Sequence, residues 1–364
     1  MKFSLLYELQ NPRPWTAKSE YEKYWEAITQ IELADRVGFD CVWTVEHHFL
    51  SEYSHSSAPE VFYGALSQRT KNIRLGHGVV LLPFPYNHPI RVAERVAALD
   101  ILSNGRVEFG TGRSATLQEL GGFQVDYGET RAMWEEGLEV IIKAWTDETL
   151  AHAGRLLHVP PRAVVPKPIQ RPHPPVWMAA TSNDTYDIAG QKGIGVLSFA
   201  FNPKDVTRGL EVYRRAIGHA QPVGKFVNNQ FAALTVAHCA AATDAARETA
   251  FAGARWFLGK VREQFLSWQG TAAKSYEYLE KLSAAAQRQR DITDDELAAH
   301  PQMVIGDPDV CIRKLEEIER WGIDQVICFM QFGRVPHRRV MDSIRLFGEH
   351  VLPRFRARNA APSA

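Results

Sequence analysis

The sequence predicts an α/β protein folded as a (β/α)8 TIM barrel. Three features of the chain point there. Short, apolar, β-branched segments alternate with longer segments of helical period eight times, nearly from end to end. The apolar runs suit parallel strands covered on both faces. The turn after the first run, "ELQNPRPW", carries no GxGxxG, so an open, doubly wound dinucleotide-binding sheet is disfavoured. At 364 residues the chain could hold two domains, yet elaborated α/β barrels reach this length as one unit.

Each element has its own signal. "KFSLLYE" is the first strand, and in "SEYEKYWEAITQIELADRVGF" the positions Tyr24, Ile28, Ile31 and Ala34 recur at helical spacing until Gly38 stops the helix. "DCVWTVE" is strand two, followed by the helix "APEVFYGALSQRT". "NIRLGHGVVLLP" is strand three, followed by "NHPIRVAERVAALDILSNG", where Asn104 and Gly105 end the helix. "RVEFGTG" and "GETRAMWEEGLEVIIKAW" form the fourth unit, and a Pro-rich surface connection, "VPPRAVVPKPIQRPHPP", follows. Units five and six are "VWMAAT" with "SNDTYDIAGQKG" and "IGVLSFAF" with "NPKDVTRGLEVYRRAIGHA". Strand seven, "NNQFAALTVAHCA", leads to the helix "DAARETAFAGARWFLGKV". Residues 265–303 then break the rhythm, as an insertion after strand seven that would act as a lid. The helix "DPDVCIRKLEEIERWG", strand eight "DQVICFMQF" and the helix "PHRRVMDSIRLFGEHVLPRF" complete the pattern. Residues 1–355 are thus one barrel domain, and 356–364 a frayed tail.

Composition narrows the function. Lys plus Arg and Asp plus Glu are both 42, the net charge is zero, and no basic stripe stands out, which argues against nucleic acid as a partner. Cys41, Cys239, Cys311 and Cys328 lie in apolar stretches with no CxxC spacing, which fits reduced, buried thiols rather than a zinc or redox site. The opening run "FSLLYEL" is too short for export, and no later run reaches the ~20 apolar residues of a membrane span. A cytoplasmic protein is expected.

The chemistry centres on "VWTVEHHF", residues 42–49, at the end of strand two. In a barrel, active sites form at the C-terminal ends of the strands. Successive strand side chains point to opposite sides, so only one of His47 and His48 faces the axis if extended geometry persists. A shared metal is disfavoured on that ground, and no HxH or carboxylate bridge lies nearby in sequence. One inward imidazole acting as base or hydrogen-bond donor suits the position better.

Three stretches together, "GFDCVWTVEHHF", "IRLGHGVVLLPFPYNHPIRVAERVAALDILSNGRVEFGTGRS" and "VIGDPDVCIRKLEEIERWGIDQVICFMQFG", resemble the bacterial luciferase-like, flavin-dependent monooxygenases over nearly the whole chain. The resemblance implies a (β/α)8 barrel with an insertion after strand seven. It also implies reduced FMN (FMNH2) as cofactor, with O2 and a small organic molecule as substrates. The reaction would pass through a C4a-(hydro)peroxyflavin, and a separate flavin reductase would supply FMNH2. By motif, His47 is the catalytic histidine and His48 packs structurally. Gly78–Val79 matches the cis peptide beneath the flavin ring. Arg113 and, as in some members, Arg131 match phosphate-binding arginines, whose forks suit a phosphate dianion. Ser182 and Thr185 match phosphate-binding hydroxyls at a helix N-terminus, where Ser182 also serves as an N-cap. The family commonly dimerises through the helices that here read "APEVFYGALSQR" and "HPIRVAERVAALDIL".

The departures bear on the reaction. Gly112 stands where the luciferases proper carry a reactive cysteine, and Thr181 where they carry an acidic residue, so a non-luminescent monooxygenase is the better match. Glu119 lies near the family's acidic residue by the flavin and is equally read as a solvated glutamate. Phe84, Phe199, Trp256 and Trp268 could line the substrate pocket or the core. Two other functions stay open: a deazaflavin-dependent hydride-transfer oxidoreductase, and a non-catalytic flavin-binding partner subunit.

Overall fold

In the computed structural model, which describes residues 1–271, 276–288 and 292–359, the eight apolar runs form a closed parallel barrel. Its strands are β1 (Lys2–Tyr7), β2 (Cys41–Thr44), β3 (Arg74–His77), β4 (Val107–Gly112), β5 (Val176–Ala180), β6 (Gly195–Ser198), β7 (Phe231–Cys239) and β8 (Gln325–Phe329). β8 pairs with β1 from Lys2↔Gln325 to Leu6↔Phe329, and with β7 from Ala232↔Gln325, which closes the sheet. Every residue of β2, β4 and β7 is buried, as two-sided coverage requires.

The turn signals act as their chemistry dictates. Gly38, at φ 98°, ends the helix Ser19–Val37 and donates its N–H to the Ala34 carbonyl at 2.9 Å. Asn104 and Gly105, at φ 56° and 77°, reverse the chain after the helix Pro89–Leu102. Inside the barrel the Trp43 and Trp177 rings meet edge-on at 5.3 Å. Trp43 occupies the space that a Cβ on Gly76 would need.

The lower mouth is held by charge. Arg106 is buried, and its guanidinium donates to the carbonyls of Ser103 (2.7 Å), Ile73 (2.7 Å), Ser67 (2.9 Å) and Thr70 (3.1 Å) and to Thr70 Oγ1 (2.8 Å). Trp177 Nε1 donates to Glu108 at 2.6 Å, and Glu108 pairs with Arg74.

Three segments differ from the sequence expectation. The Pro-rich connection is preceded by, and partly joins, a two-stranded antiparallel hairpin, Leu150–Ala153 with His158–Arg162. The insertion contains the helices Glu277–Arg288 and Asp294–Ala299 and runs into the short strand Met303–Gly306 beside β7; its residues 272–275 and 289–291 lie outside the described set. Trp268, Tyr276 and Leu279 bury themselves against Leu120 and Val125 of the loop after β4, and Trp268 Nε1 donates to the Ala115 carbonyl at 2.9 Å. Trp268 therefore clamps the insertion to that loop and is not among the residues lining the cavity at the C-terminal ends of the strands. At the C-terminus the helix runs to Asn359, past the expected fraying point, because Phe355 is buried and Arg356 donates to the Gly38 carbonyl; residues 360–364 lie outside the described set.

Candidate active site

One mostly apolar cavity opens at the C-terminal ends of the strands. His47, Gly78, Val79, Gly112, Arg113, Thr181, Thr185 and Phe199 all line it. The barrel thus brings together residues spread over more than 150 positions of sequence.

At one end, β2 runs on into His47, whose N–H donates to the Ser56 carbonyl at 2.9 Å. Its imidazole lies between two carboxylates. Nδ1 is 2.9 Å from Glu119 Oε1, and Nε2 is 3.7 Å from Glu8 Oε2. Glu119 is completely buried in the short helix Leu117–Gly122, where it also accepts from the His48 N–H (2.8 Å), Ser114 Oγ (2.9 Å) and Thr116 Oγ1 (2.5 Å). It is therefore no solvated surface group. Burial by itself lowers the His47 pKa, but the Glu119 carboxylate and its hydrogen bond, with Glu8 and Glu46 behind them, raise it to about 9. Burial also raises the Glu8 carboxyl to about 7, the largest influence there, against the opposing pull of His47.

The two histidines part company. His48 turns to Glu46 at 3.3 Å and packs against the Phe123 ring at 4.8 Å. Glu46 in turn accepts from the Leu81 N–H (2.9 Å) and Asn87 Nδ2 (2.7 Å), so it ties strand two to the loop after β3. Among the described residues, no group of three or more His, Cys, Asp or Glu side chains is placed to hold a metal ion.

The middle of the cavity is floored by β3 and β4. The Gly78–Val79 peptide is cis. A Cβ on Gly78 would point at Trp43, 3.1 Å from its Cβ, and one on Gly112 would lie 2.5 Å from Val79 Cγ2. Gly112 is thus set by the close approach of Val79.

Also on the cavity wall, Arg113 reaches Thr130 Oγ1 at 3.3 Å and lies over the Tyr276 ring at 4.7 Å. Arg131 sits in its field and that of Asp184, and burial lowers its pKa. Arg131 Nη1 is buried without a hydrogen-bond partner. Ser182 caps the helix Asn183–Gln191, accepting from the Thr185 N–H, and its Oγ is 2.9 Å from Thr185 Oγ1. Two arginines, two hydroxyls and a helix N-terminus at the end of an apolar slot suit a phosphate carried on a flat ring system. The unused Arg131 nitrogen is the observation that fits a phosphate-bearing cofactor here.

Ser182 and Arg131 themselves do not line the cavity wall. Two expected pocket residues fall outside altogether. Phe84 packs beside Gly137 of the helix Thr130–Thr146. Trp256 turns away, with the Lys260 ammonium 5.9 Å from its ring. The wall from the helix Thr243–Leu266 is instead Phe257, Leu258, Val261, Gln264 and Phe265, a stripe at helical spacing that excludes 256. Sequence reasoning also missed Glu8, Tyr53, Phe201 and Tyr278, all of which line the cavity. Glu8 had a signal: a carboxylate at the C-terminal end of an otherwise apolar strand one.

The model of the luciferase-like monooxygenase family matches residues 1–325. The chain belongs to this family. The oxygenase component of the flavin-dependent trigonelline monooxygenase of Acinetobacter baylyi is 26% identical over 98% of this chain and 96% of its own length. The monooxygenase RslO1 from Streptomyces bottropensis superposes with a TM-score of 0.79 at 27% identity, over 98% of this chain and all of that one. The coenzyme F420-dependent tetrahydromethanopterin reductase of Methanopyrus kandleri shares the fold, with a TM-score of 0.68 at 20% identity over 97% and 99% of the two chains. Fold alone therefore does not select the cofactor. No helix among the described residues is long and apolar enough to cross a membrane.

Proposed function

We propose that this chain is the oxygenase of a two-component monooxygenase, which takes reduced FMN from a separate reductase and uses O2 to oxygenate a small organic substrate. The observation that carries the reading is that His47 and Arg113 both line one mostly apolar cavity, with Arg131 behind its wall in the field of Arg113. Reduced FMN, when bound, supplies the electrons that activate oxygen. The chain's own residues do the rest. Arg113, Arg131, Ser182 and Thr185 would hold the phosphate. Gly78, Val79, Gly112 and Thr181 border the ring's seat, and Phe199, Phe257 and Phe265 keep water out. His47, its pKa raised to about 9 by its carboxylate neighbours, would hold a proton on Nε2 at neutral pH and would be the chain's proton donor at the cavity. A named relative works as the oxygenase component of a flavin-dependent system, which supports the need for a reductase.

The deciding experiment offers the purified chain reduced FMN in air, and separately reduced deazaflavin without oxygen. Oxygen consumption that depends on reduced FMN is expected. Anaerobic hydride transfer from the deazaflavin, with no oxygen uptake from FMN, would overturn the reading. The same reading includes a homodimer. The helices Pro59–Arg69 and Pro89–Leu102 leave Val61, Ile101 and Leu102 exposed, and a monomer in sedimentation would refute it.

A further inference from the structure

Glu8 is not needed for the phosphate, the ring or the placement of His47, which Glu119 already fixes through Nδ1. It ends the first strand's run into the cavity and is 4% exposed. Its oxygens differ. Oε1 accepts from Tyr53 Oη at 3.3 Å, and the backbone carbonyl accepts from Ser54 Oγ at 2.7 Å. Oε2 is buried and accepts no hydrogen bond. A buried carboxylate oxygen without a donor is a standing deficit that a bound molecule can repair. The surrounding wall is apolar, with Phe201, Leu234, Phe257 and Val261 among its residues.

Resting on the proposed oxygenase function, we infer that Glu8 selects the substrate: an apolar molecule presenting one neutral hydrogen-bond donor, a hydroxyl or N–H, to Glu8 Oε2. The donor is neutral because the cationic edge of His47 already stands 3.7 Å from the same oxygen, and a second cation would face it. Burial raises the Glu8 pKa to about 7, so the carboxylate form that accepts such a donor predominates above neutrality, and the binding test is run there. Donor recognition of this kind discriminates strongly, because an analogue lacking the donor leaves the oxygen unpaired again.

The test uses β-naphthol, its methyl ether and naphthalene as probes, with equilibrium binding to the full chain read by probe fluorescence. β-Naphthol is expected to bind roughly tenfold or more tightly than both others. Glu8→Leu should erase that margin, and Glu8→Gln, which keeps the size of the side chain, should reduce it. Equal affinities in the wild type, no binding of any probe, or a margin that survives in Glu8→Leu overturns the inference. Binding of reduced FMN to the wild type is measured alongside. Its failure would strike the oxygenase reading, while the probe margin, read without flavin, reports on Glu8 alone.

Discussion

The two mouths of the barrel treat their charges differently. At the lower mouth, Arg106 spends its guanidinium on four backbone carbonyls and a threonine hydroxyl, and Arg74, Glu108 and Trp177 close on one another. At the upper mouth, Glu119 is equally saturated, but Glu8 Oε2, with His47 Nε2 3.7 Å away, and Arg131 Nη1 are buried without a hydrogen-bond partner. A charge answered from within the chain stabilises the fold, whereas one left partly unanswered beside a cavity awaits a ligand. Substitutions at the two mouths should therefore separate activity from stability.

The largest effect belongs to the upper mouth. His47→Ala should lower oxygenation of any substrate the wild type turns over by about 10²–10⁴-fold while sparing reduced-FMN binding. Single-turnover product yield measures the first and flavin titration the second. An unchanged yield would remove His47 from the chemistry.

The lower mouth should answer in the opposite currency. Arg106→Met leaves four buried carbonyls and Thr70 Oγ1 short of a donor, and should lower unfolding free energy by roughly 2–4 kcal/mol in denaturant titration. Turnover per folded molecule should stay as in the wild type. A loss of turnover without a loss of stability would erase the contrast between the mouths.

A smaller effect sharpens the contrast within the upper mouth. Arg131→Ala and Arg113→Ala should each weaken reduced FMN by about tenfold to a hundredfold, and riboflavin, which lacks the phosphate, hardly at all. Equal losses for both ligands would refute a phosphate role.

The same contrast explains what the sequence disclosed. The barrel was legible because eight strand–helix alternations repeat one local pattern, and the stops at Gly38 and Asn104–Gly105 are chemistry of single residues. His47 and His48 diverge as expected, but not by strand alternation: β2 ends at Thr44, and Val45, Glu46 and His47 all line the cavity, so the loop after the strand and the Glu119 and Glu46 contacts set the two rings apart. Ionic partners were less legible: His47 and Glu119 are 72 positions apart, and only the closed barrel brings them to 2.9 Å. Trp256 and Phe84 were misplaced for a different reason. An aromatic side chain is apolar on every face, so its identity says nothing of direction, and the phase of the helix decides that Phe257 faces the cavity and Trp256 does not.

The finest expected effect tests the saturated carboxylate itself. Glu119 raises the His47 pKa to about 9, with Glu8 and Glu46 adding to it against the pull of burial. The sign follows. A folded-state pKa above the ordinary value near 6.5 means that the imidazolium–carboxylate stabilisation is fully present below that value and fades as pH rises through about 9. A step that needs the His47 proton should hold its rate up to the same point and fall beyond it. Glu8 reinforces this, because its own ionisation, centred near 7, adds negative charge beside Nε2 as pH rises. Glu119→Gln keeps the shape and removes the charge, leaving burial to act with less opposition. The His47 titration, followed by NMR of the labelled imidazole, should move down by about one to two pH units, and the alkaline fall in air reoxidation of bound reduced FMN should move with it. An imidazole still titrating near 9 in that variant would assign the shift to Glu8 and Glu46, and would make Glu119 a strut for the loop rather than the group that holds the proton on His47.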